Sequence, residues 1–419
     1  MSHYRALAAA DGEERSRESG VETFGRTNEK EASTRYMIVL TCSTGGLQVV
    51  WSLIMSNGTP FLITLGLPES LTALVWAPLQ AGIRALIVDN CPARQQVEAS
   101  AWASRITGAG NMIGYLFGFI PVHSIMPLID MSQFAWLCIV ASLILSSTVG
   151  ITLILIQEKD PRLLPAPLGE GLSFVKTVKH IVWSAQAMPY SVFEVCKVQF
   201  FAWMGWFGYL FYISSYVGNL YAAPRLAEDL NMSSTDKGNI VEDAVRLGSL
   251  ASLVFATFAL TTSILLPVMI ERFNRGAGQK PTTAITTAWT YLHLLFSLSM
   301  FSTIFVRSET TAIVLAAFVG ISWAGTLWIP FALIGKDVAA RNEINAHVLE
   351  GELEPAQQDQ AGAIMGLHNS AISAPQIIAA LASGIILWLV PRDGLGWVMR
   401  FGGCSTLAAA WFASKMEAR

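Results

Sequence analysis

Residues 73–92, ALVWAPLQAGIRALIVDNCP, have the length and apolar character of a membrane-spanning helix, yet they contain Arg84 and, five residues later, Asp89. The hydrocarbon core of a bilayer is crossed by about 20 mostly apolar residues, and a charge inside it is costly unless it faces protein or a water-filled cavity. This segment therefore predicts a membrane protein with a polar interior. It also raises the question of what the cation at position 84 does.

The composition of the whole chain supports a membrane protein. The chain is 53% hydrophobic and 14% charged, with a mean hydropathy of +0.48, which is too apolar for a surface that meets only water. Its 27 basic and 30 acidic residues nearly balance, which argues against nucleic acid as a partner. The five cysteines lie singly, without metal-ligand spacing, so we predict packing roles for them and no metal or cofactor.

Apolar segments of spanning length predict an all-α integral membrane protein. We count ten such segments, at 36–56, 70–90, 102–121, 132–156, 191–216, 243–270, 283–305, 310–333, 362–390 and 396–414. An even number places both termini on one side of the membrane. Residues 1–35 are polar and lack the apolar core of a signal peptide, which predicts a disordered tail in the cytoplasm.

Basic residues in the short loops predict the orientation, because cytoplasmic loops carry an excess of lysine and arginine. The predicted outer loops hold only Arg225, Lys237, Arg307 and Arg392. The predicted inner loops hold ten: Arg94, Lys159, Arg162, Lys176, Lys179, Arg272, Arg275, Lys280, Lys336 and Arg341. Both termini are therefore expected in the cytoplasm. In the outer loop after the fifth span, Asn231 begins a sequon that is either a glycosylation site or a chance triplet.

The spans divide into two unequal groups. Residues 36–156 are expected to form an amino-terminal bundle of four spans, and residues 191–414 a carboxy-terminal bundle of six. Residues 157–190 form a cytoplasmic linker whose amphipathic part, LSFVKTVKHIVWSAQAM, predicts an interfacial helix, and residues 415–419 form a short cytoplasmic tail. An arrangement of four spans followed by six is unusual, because transporters are commonly built from two equivalent halves around a midplane site.

The glycine spacing and the absence of catalytic motifs both argue against an enzyme. Gly110, Gly114 and Gly118 recur at four-residue intervals, which favours close helix contact over a nucleotide-binding loop. The sequence contains neither HExxH nor GxSxG, and no pair of intramembrane aspartates in a protease-like context. These absences indicate that the chain is not an enzyme.

Four stretches resemble one family of transporters. They are GGLQVVWSLIMSNGTPFLITLGL (45–67), QAGIRALIVDNCPARQQVEASAWASRITGAGNMIGYLFG (80–118), CKVQFFAWMGWFGYLFYISSYVG (196–218) and AGAIMGLHNSAISAPQIIAALASGII (361–386). Together they are similar to fungal sucrose or α-glucoside proton symporters of the glycoside-pentoside-hexuronide branch of the major facilitator superfamily. The resemblance implies a two-bundle fold that carries a sucrose-like α-glucoside and a proton, in contact with membrane lipids, in the plasma membrane rather than the vacuolar membrane.

The resemblance also exposes a gap in the amino-terminal half. In relatives, LTALVWAP opens the second of twelve helices and LQAGIRALIVD closes the fourth, whereas here they meet at Pro78 and Leu79. The comparison implies that two helices' worth of chain is missing, which explains four spans plus six. Helices two and four run in the same direction, so the junction yields one span and preserves the topology downstream.

Arg84 has two interpretations. Its long stem can snorkel to the inner interface, or it can face a hydrated cavity and donate to sugar hydroxyls or to a proton-carrying acid. The resemblance favours the second, because the family uses this arginine in transport. The family's acid lies eleven residues earlier, where this chain has Ala73, and a further acid of fungal relatives is replaced by Ile54. Asp89 is expected to cap the helix or pair with another one.

Other polar and aromatic side chains are candidates for a sugar site, because sugars are held by hydrogen bonds and by aromatic faces. One group lies on the first span and a second on the fifth, with a histidine in the ninth; in order they are Gln48, Trp51, Ser52, Gln199, Trp203, Trp206 and His368. The alternative for each aromatic residue is lipid contact or core packing, and for His368 a bond to neighbouring backbone.

The start of the sixth span carries a charged group. Glu242, Asp243 and Arg246 form either an outer gate or a solvated helix end, and the spacing of Glu242 and Arg246 allows an ion pair. The sequence as a whole predicts a secondary transporter for sucrose or a related α-glucoside, with proton symport inherited in pattern. The alternative is a non-transporting sugar sensor or an inactive remnant that lost two helices.

Overall fold

The computed structural model describes residues 32–55, 83, 86–87, 90–91, 96–121, 133–156, 188–228, 231–277, 281–348 and 358–417. In this part of the chain every regular element is a helix. The helices are α1 (Thr34–Leu53), α2 (Gln96–Phe119), α3 (Gln133–Leu155), α4 (Tyr190–Glu228), α5 (Ser234–Ala277), α6 (Pro281–Ser302), α7 (Glu309–Val348), α8 (Gln358–Leu389) and α9 (Gly394–Glu417). The all-α prediction is therefore confirmed.

Nine of the ten predicted spans coincide with a described helix. The tenth, 70–90, lies mostly outside the described residues, as do Arg84 and Asp89, although residues 83, 86–87 and 90 are helical. The count of ten and the orientation of the termini stay predictions. Helices α4, α5 and α7 run past the predicted spans 191–216, 243–270 and 310–333, because polar ends continue a helix beyond the apolar part that periodicity detects.

Six helices, α1, α3, α5, α6, α7 and α8, contain a segment long and apolar enough to cross a bilayer. The other three, α2, α4 and α9, contain no such segment among the described residues. Each of these packs against other helices, α2 against α1 and α5, and α4 and α9 against each other.

The helix starts follow from the sequence. Ser33 caps α1 by accepting from the Tyr36 backbone N–H at 3.3 Å. Ser233 caps α5, where its Oγ accepts from the Asp236 N–H and donates to the Asp236 carboxylate. Ser308 caps α7 by accepting from the Thr311 N–H. A serine at the N-cap satisfies an N–H that has no partner within its helix.

Helices α1, α2 and α3 form one group, with α1 packed between the other two. A Cβ added to Gly110 would lie 2.5 Å from the Gly45 carbonyl oxygen, and one added to Gly114 would lie 2.9 Å from that of Val49. Only glycine allows the two backbones to approach so closely. The predicted packing role of Gly110 and Gly114 is thereby confirmed.

Helices α4 to α9 form the larger group, with α4 at its centre. The buried aromatic core is built on Trp206, whose ring lies 4.2 Å from Phe296 and 4.7 Å from Trp323 between centroids. Close contact of α4 with α9 again depends on glycine, since a Cβ on Gly205 would meet the Gly402 carbonyl oxygen at 2.6 Å.

Contact between the two groups runs mainly through α2 and α5. Gly108 of α2 lies against Leu260 of α5, where a Cβ would be 3.1 Å from the leucine side chain. Tyr115 of α2 is buried in the same apolar cluster as residues of α4. Tyr115 thus brings α2 into contact with the larger group beside α4.

Candidate functional site

Two polar side chains of α1 meet one side chain of α2 where these helices cross. Gln48 Nε2 donates to Asn111 Oδ1 at 2.8 Å, and Ser52 Oγ donates to the same oxygen at 2.6 Å. Gln48 and Ser52 are four residues apart and so share one face of α1, as predicted. Trp51, the third predicted residue on this helix, is half-buried. The structure thus gathers two of the predicted residues around a partner on another helix.

Asn111 is the functional candidate that the sequence reasoning missed. A carboxamide offers one acceptor oxygen and two N–H donors. Its oxygen accepts from both α1 side chains, which turns its NH2 group away from them, and within the described ranges no acceptor takes those two N–H groups. The signal was present in GAGNMIGYLFG, where a single polar side chain interrupts an apolar span.

Tyr115 lies one turn after Asn111 and extends this polar group toward α4. Its hydroxyl lies within interaction range of Ser52 and within electrostatic range of the Tyr209 hydroxyl on α4. We call Gln48, Ser52, Asn111 and Tyr115 the Asn111 cluster. The cluster connects α1 and α2 by polar groups, and Tyr115 brings it near Tyr209 of α4.

Beyond Glu194, helix α4 carries three polar groups that are buried without a hydrogen-bond partner among the described residues. They are Gln199 Oε1, Trp203 Nε1 and the Tyr209 hydroxyl, which we call the α4 polar row. Leaving a buried polar group unsatisfied costs about 1–3 kcal/mol. Groups of this kind are therefore expected to find partners in water or a ligand, and hydroxyl-rich molecules supply both donors and acceptors.

Gln199 and His368, predicted from separate spans, lie together. The Gln199 amide nitrogen is 3.4 Å from His368 Nε2. His368 is 1% exposed, and its ring meets the Phe331 ring edge-on with 5.1 Å between centroids. This contact joins α4, α7 and α8, so the histidine contributes both to packing and to the polar surroundings of Gln199.

The structure places Trp206 in the core. Its side chain is fully buried, and its indole N–H donates to Thr326 Oγ1 at 3.0 Å. Trp203, one turn earlier, has an indole N–H with no acceptor among the described residues, and it packs against Trp323 at 5.5 Å between centroids. Of the two predicted tryptophans, Trp203 therefore keeps a free polar atom for a ligand and Trp206 does not.

The predicted gate residues lie where α5 meets the end of α2. Arg246 Nε donates to the Phe119 carbonyl oxygen at 3.1 Å, and Arg246 Nη1 pairs with Asp243 at 2.9 Å. The ion-pair partner is thus Asp243, at a spacing of three, and not Glu242, whose spacing of four also allowed a pair. A cation at a helix C-terminus is favourable because the last carbonyls carry partial negative charge.

The predicted glycosylation site, possible metal ligands and the charged pair of residues 73–92 complete the set of candidates. Asn231 is exposed in the connection between α4 and α5. No group of three or more His, Cys, Asp or Glu side chains that could hold a metal ion occurs among the described residues. Arg84 and Asp89 belong to the segment that is not described, although its neighbours Ile83 and Ile87 pack in one buried cluster with Met37 of α1.

No protein-family model matches the chain. A general alpha-glucoside permease of Schizosaccharomyces pombe is 27% identical over 542 aligned positions, which cover 90% of this chain and 93% of the permease. An MFS-type transporter of Talaromyces islandicus is 28% identical over 184 positions, 41% of this chain and 71% of that transporter. A sucrose transport protein of Oryza sativa subsp. indica is 23% identical over 363 positions, 79% of this chain and 63% of that protein.

These comparisons confirm the resemblance found in the sequence: the chain is a homologue of fungal α-glucoside and MFS-type transporters and of sucrose transporters, and it is not an enzyme. The alignment with the permease has 542 positions, whereas this chain has 419 residues, so a substantial part of the permease has no counterpart here.

Proposed function

We propose that this homologue of α-glucoside permeases and sucrose transport proteins moves sucrose or a related α-glucoside across a membrane by alternating access, with the sugar bound between the Asn111 cluster and the α4 polar row. The observation that carries the proposal is the Asn111 carboxamide, whose oxygen is held by Gln48 and Ser52 while its N–H groups have no acceptor in the described part of the chain. Such an amide is positioned to donate to a sugar hydroxyl.

The α4 polar row complements the amide. Gln199 Oε1 is an acceptor, Trp203 Nε1 a donor and the Tyr209 hydroxyl both. A sugar presents hydroxyls of both kinds and apolar C–H faces that stack on aromatic rings, so Trp203 offers a face as well as an N–H. Tyr115 of the cluster lies within electrostatic range of Tyr209 of the row, which supports a sugar site with contacts on both groups of helices.

The contact of Arg246 with the end of α2 supports a gate at the predicted outer end. We define the predicted outer end as the end where α4 joins α5, α6 joins α7 and α8 joins α9. Arg246 belongs to the larger helix group and Phe119 to the smaller one, so the hydrogen bond between them holds the two groups together at this end. Rocking of one group against the other would require this bond to break and re-form in each cycle.

Proton symport belongs to the same proposal. Proton symport needs an acidic side chain that takes up and releases the proton. This side chain must be shielded from water and lie beside a cation that favours release of its proton. At the two positions where the resemblance implied an acid, this chain has Ala73 and Ile54. Glu194 of α4 meets both conditions, since it is buried and its carboxylate lies 2.7 Å from Lys197 Nζ. We assign proton coupling to this pair, with Arg84 contributing to sugar binding and Asp89 to capping its helix.

Part of the permease has no counterpart in this chain. We assign this difference to the loss of two helices at the junction of Pro78 and Leu79. Sequencing the transcripts across this junction tests that assignment. Transcripts that all join the two codons directly support a ten-helix protein, whereas transcripts with an intervening coding segment would show a twelve-helix parent.

Uptake measurements test the transport function. Cells without their own α-glucoside carriers should accumulate labelled sucrose or maltose when they express this chain, more at acid than at neutral pH. Cell fractionation should find the protein in the plasma membrane rather than the vacuolar membrane. Sugar binding without uptake, at normal expression, would contradict transport and indicate a sensor or an inactive remnant.

A further inference from the structure

A cavity lies in the larger helix group, at the predicted outer end. It has a volume of about 1240 Å³ and is lined by α4, α5, α9 and the α6–α7 and α8–α9 connections, with Tyr216, Asn219, Asp393, Trp397, Arg400 and Cys404 among its walls. Tyr216 is 17 residues beyond Gln199 on α4, which corresponds to about 25 Å along the helix axis. The cavity is therefore separate from the site proposed above.

A charged pair forms the polar wall of this cavity. Arg400 Nη1 lies 2.8 Å from Asp393 Oδ2, and the guanidinium lies 5.0 Å from the centre of the Trp397 ring. The Arg400 side chain is 11% exposed, whereas Asp393 is 55% exposed. The arginine is thus held inside the wall while the carboxylate meets the open side of the cavity.

One donor of this pair is left without an acceptor. Arg400 Nε is buried and has no hydrogen-bond partner among the described residues. A charged donor without an acceptor is costly, so an oxygen atom from a ligand would be stabilised there. The neighbouring Tyr216 hydroxyl lies within electrostatic range of both Asp393 and Arg400, which adds a further polar group to the same wall.

We propose that this cavity is a second sugar-binding site, in which an α-glucoside binds before it reaches the central site. Arg400 donates to a sugar oxygen, Asp393 accepts from a sugar hydroxyl, and Trp397 offers an aromatic face. The volume exceeds the range of about 300–1,000 Å³ that is typical of pockets for small ligands, so a disaccharide fits with its water. The identity of the ligand rests on the proposed transport function, whereas the position of the site does not.

The site lies beside the proposed gate. Val241, Ala244 and Val245 of α5 line the cavity, and they alternate with Asp243 and Arg246, which hold the end of α2. A sugar in the cavity thus contacts the same two turns of α5 that close the predicted outer end. Such a position suits a site that is filled before the gate opens.

Cys404 provides a built-in reporter, because it is exposed and lines the cavity. Intact cells expressing the full chain are treated with a membrane-impermeant maleimide, with maltose or with mannitol as the osmotic control, and modification of the Cys404 peptide is followed by mass spectrometry. Maltose at about ten times its dissociation constant should slow modification about tenfold, because only the unliganded fraction reacts. Inorganic phosphate should have no effect.

Two variants separate this site from the central one. Arg400→Gln should still be modified at Cys404, which shows that the cavity is folded and open, but maltose should no longer protect it. Asn111→Leu, in the central site, should keep the protection while uptake falls. Lack of modification, lack of protection by maltose, protection by phosphate instead, or protection that is lost in Asn111→Leu but kept in Arg400→Gln would each overturn the proposal.

Uptake by the wild-type chain distinguishes this inference from the proposed function. If the chain takes up sugar but maltose leaves Cys404 unprotected, the second site is wrong and transport stands. If maltose protects Cys404 through Arg400 but no sugar is taken up, the second site stands and transport is wrong.

Discussion

Replacement of Asn111 by leucine tests the central site most sharply. The change removes the oxygen that accepts from Gln48 and Ser52 and the N–H groups assigned to the sugar. Side-chain hydrogen bonds between membrane helices average about 0.6 kcal/mol, so two of them predict a loss of about 1 kcal/mol in the free energy of unfolding. Loss of one hydrogen bond to the sugar, worth about 0.5–1.5 kcal/mol, predicts about two- to tenfold weaker sugar binding.

The assay is concentration-dependent uptake of labelled maltose in carrier-free cells, normalised to protein at the cell surface. The matched control is Asn239→Leu, which makes the same chemical change on an exposed turn of α5. The control should transport normally, whereas Asn111→Leu should show a higher KM for maltose. Wild-type uptake by Asn111→Leu at equal surface expression would refute the assignment of the sugar site to this cluster.

Three further predictions follow from particular contacts. Arg246→Gln should weaken closure at the predicted outer end, because the bond to the end of α2 is lost; faster labelling of introduced cysteines from outside checks this, and unchanged labelling contradicts it. Gly110→Ala should destabilise the protein in detergent, because its Cβ would lie 2.5 Å from the Gly45 carbonyl oxygen, whereas Gly150→Ala, with no atom within 4 Å, should not; equal melting temperatures would count against the close packing. Glu194→Gln should make uptake independent of pH while sugar binding persists, because the side chain beside Lys197 can then no longer bind or release a proton. A retained acid optimum would exclude this carboxyl from proton coupling.

Much of the helical framework could be predicted, because spanning length and apolar composition are local properties of the sequence. The predicted first span and α1 agree to within a few residues. The ends of α4, α5 and α7 could not be predicted in the same way, because helices continue through polar segments where periodicity and hydropathy fail to mark them. Which helices pack together depends on tertiary structure, and only the glycine spacing of α2 predicted one such contact from the sequence.

The candidate site was predictable only in part. Gln48 and Ser52 share a helix face, so their proximity follows from local geometry. Their common partner Asn111 lies 59 residues beyond Ser52, and a pairing over that distance depends on how α1 and α2 cross. From the sequence we named Glu242 as the partner of Arg246, whereas the structure pairs Arg246 with Asp243. Both spacings bring side chains together on a helix, so spacing alone does not choose between them.

Two predicted tryptophans show why residue type alone does not assign a role. Trp203 and Trp206 lie on adjacent turns of α4, and the sequence offered no reason to separate them. The structure does so through one hydroxyl, since Thr326 of α7 accepts the Trp206 N–H and nothing described accepts that of Trp203. Hydrogen-bond accounting thus selects the tryptophan that is available to a ligand.

Transport of an α-glucoside by this chain is the main proposal. The direct measurement is uptake of labelled maltose into liposomes containing the purified chain, with an inward proton gradient and with protein-free liposomes as the control. We expect accumulation above the control, which Asn111→Leu should reduce and Asn239→Leu should not. Uptake equal to that of protein-free liposomes, by protein that is folded and binds maltose, would contradict it.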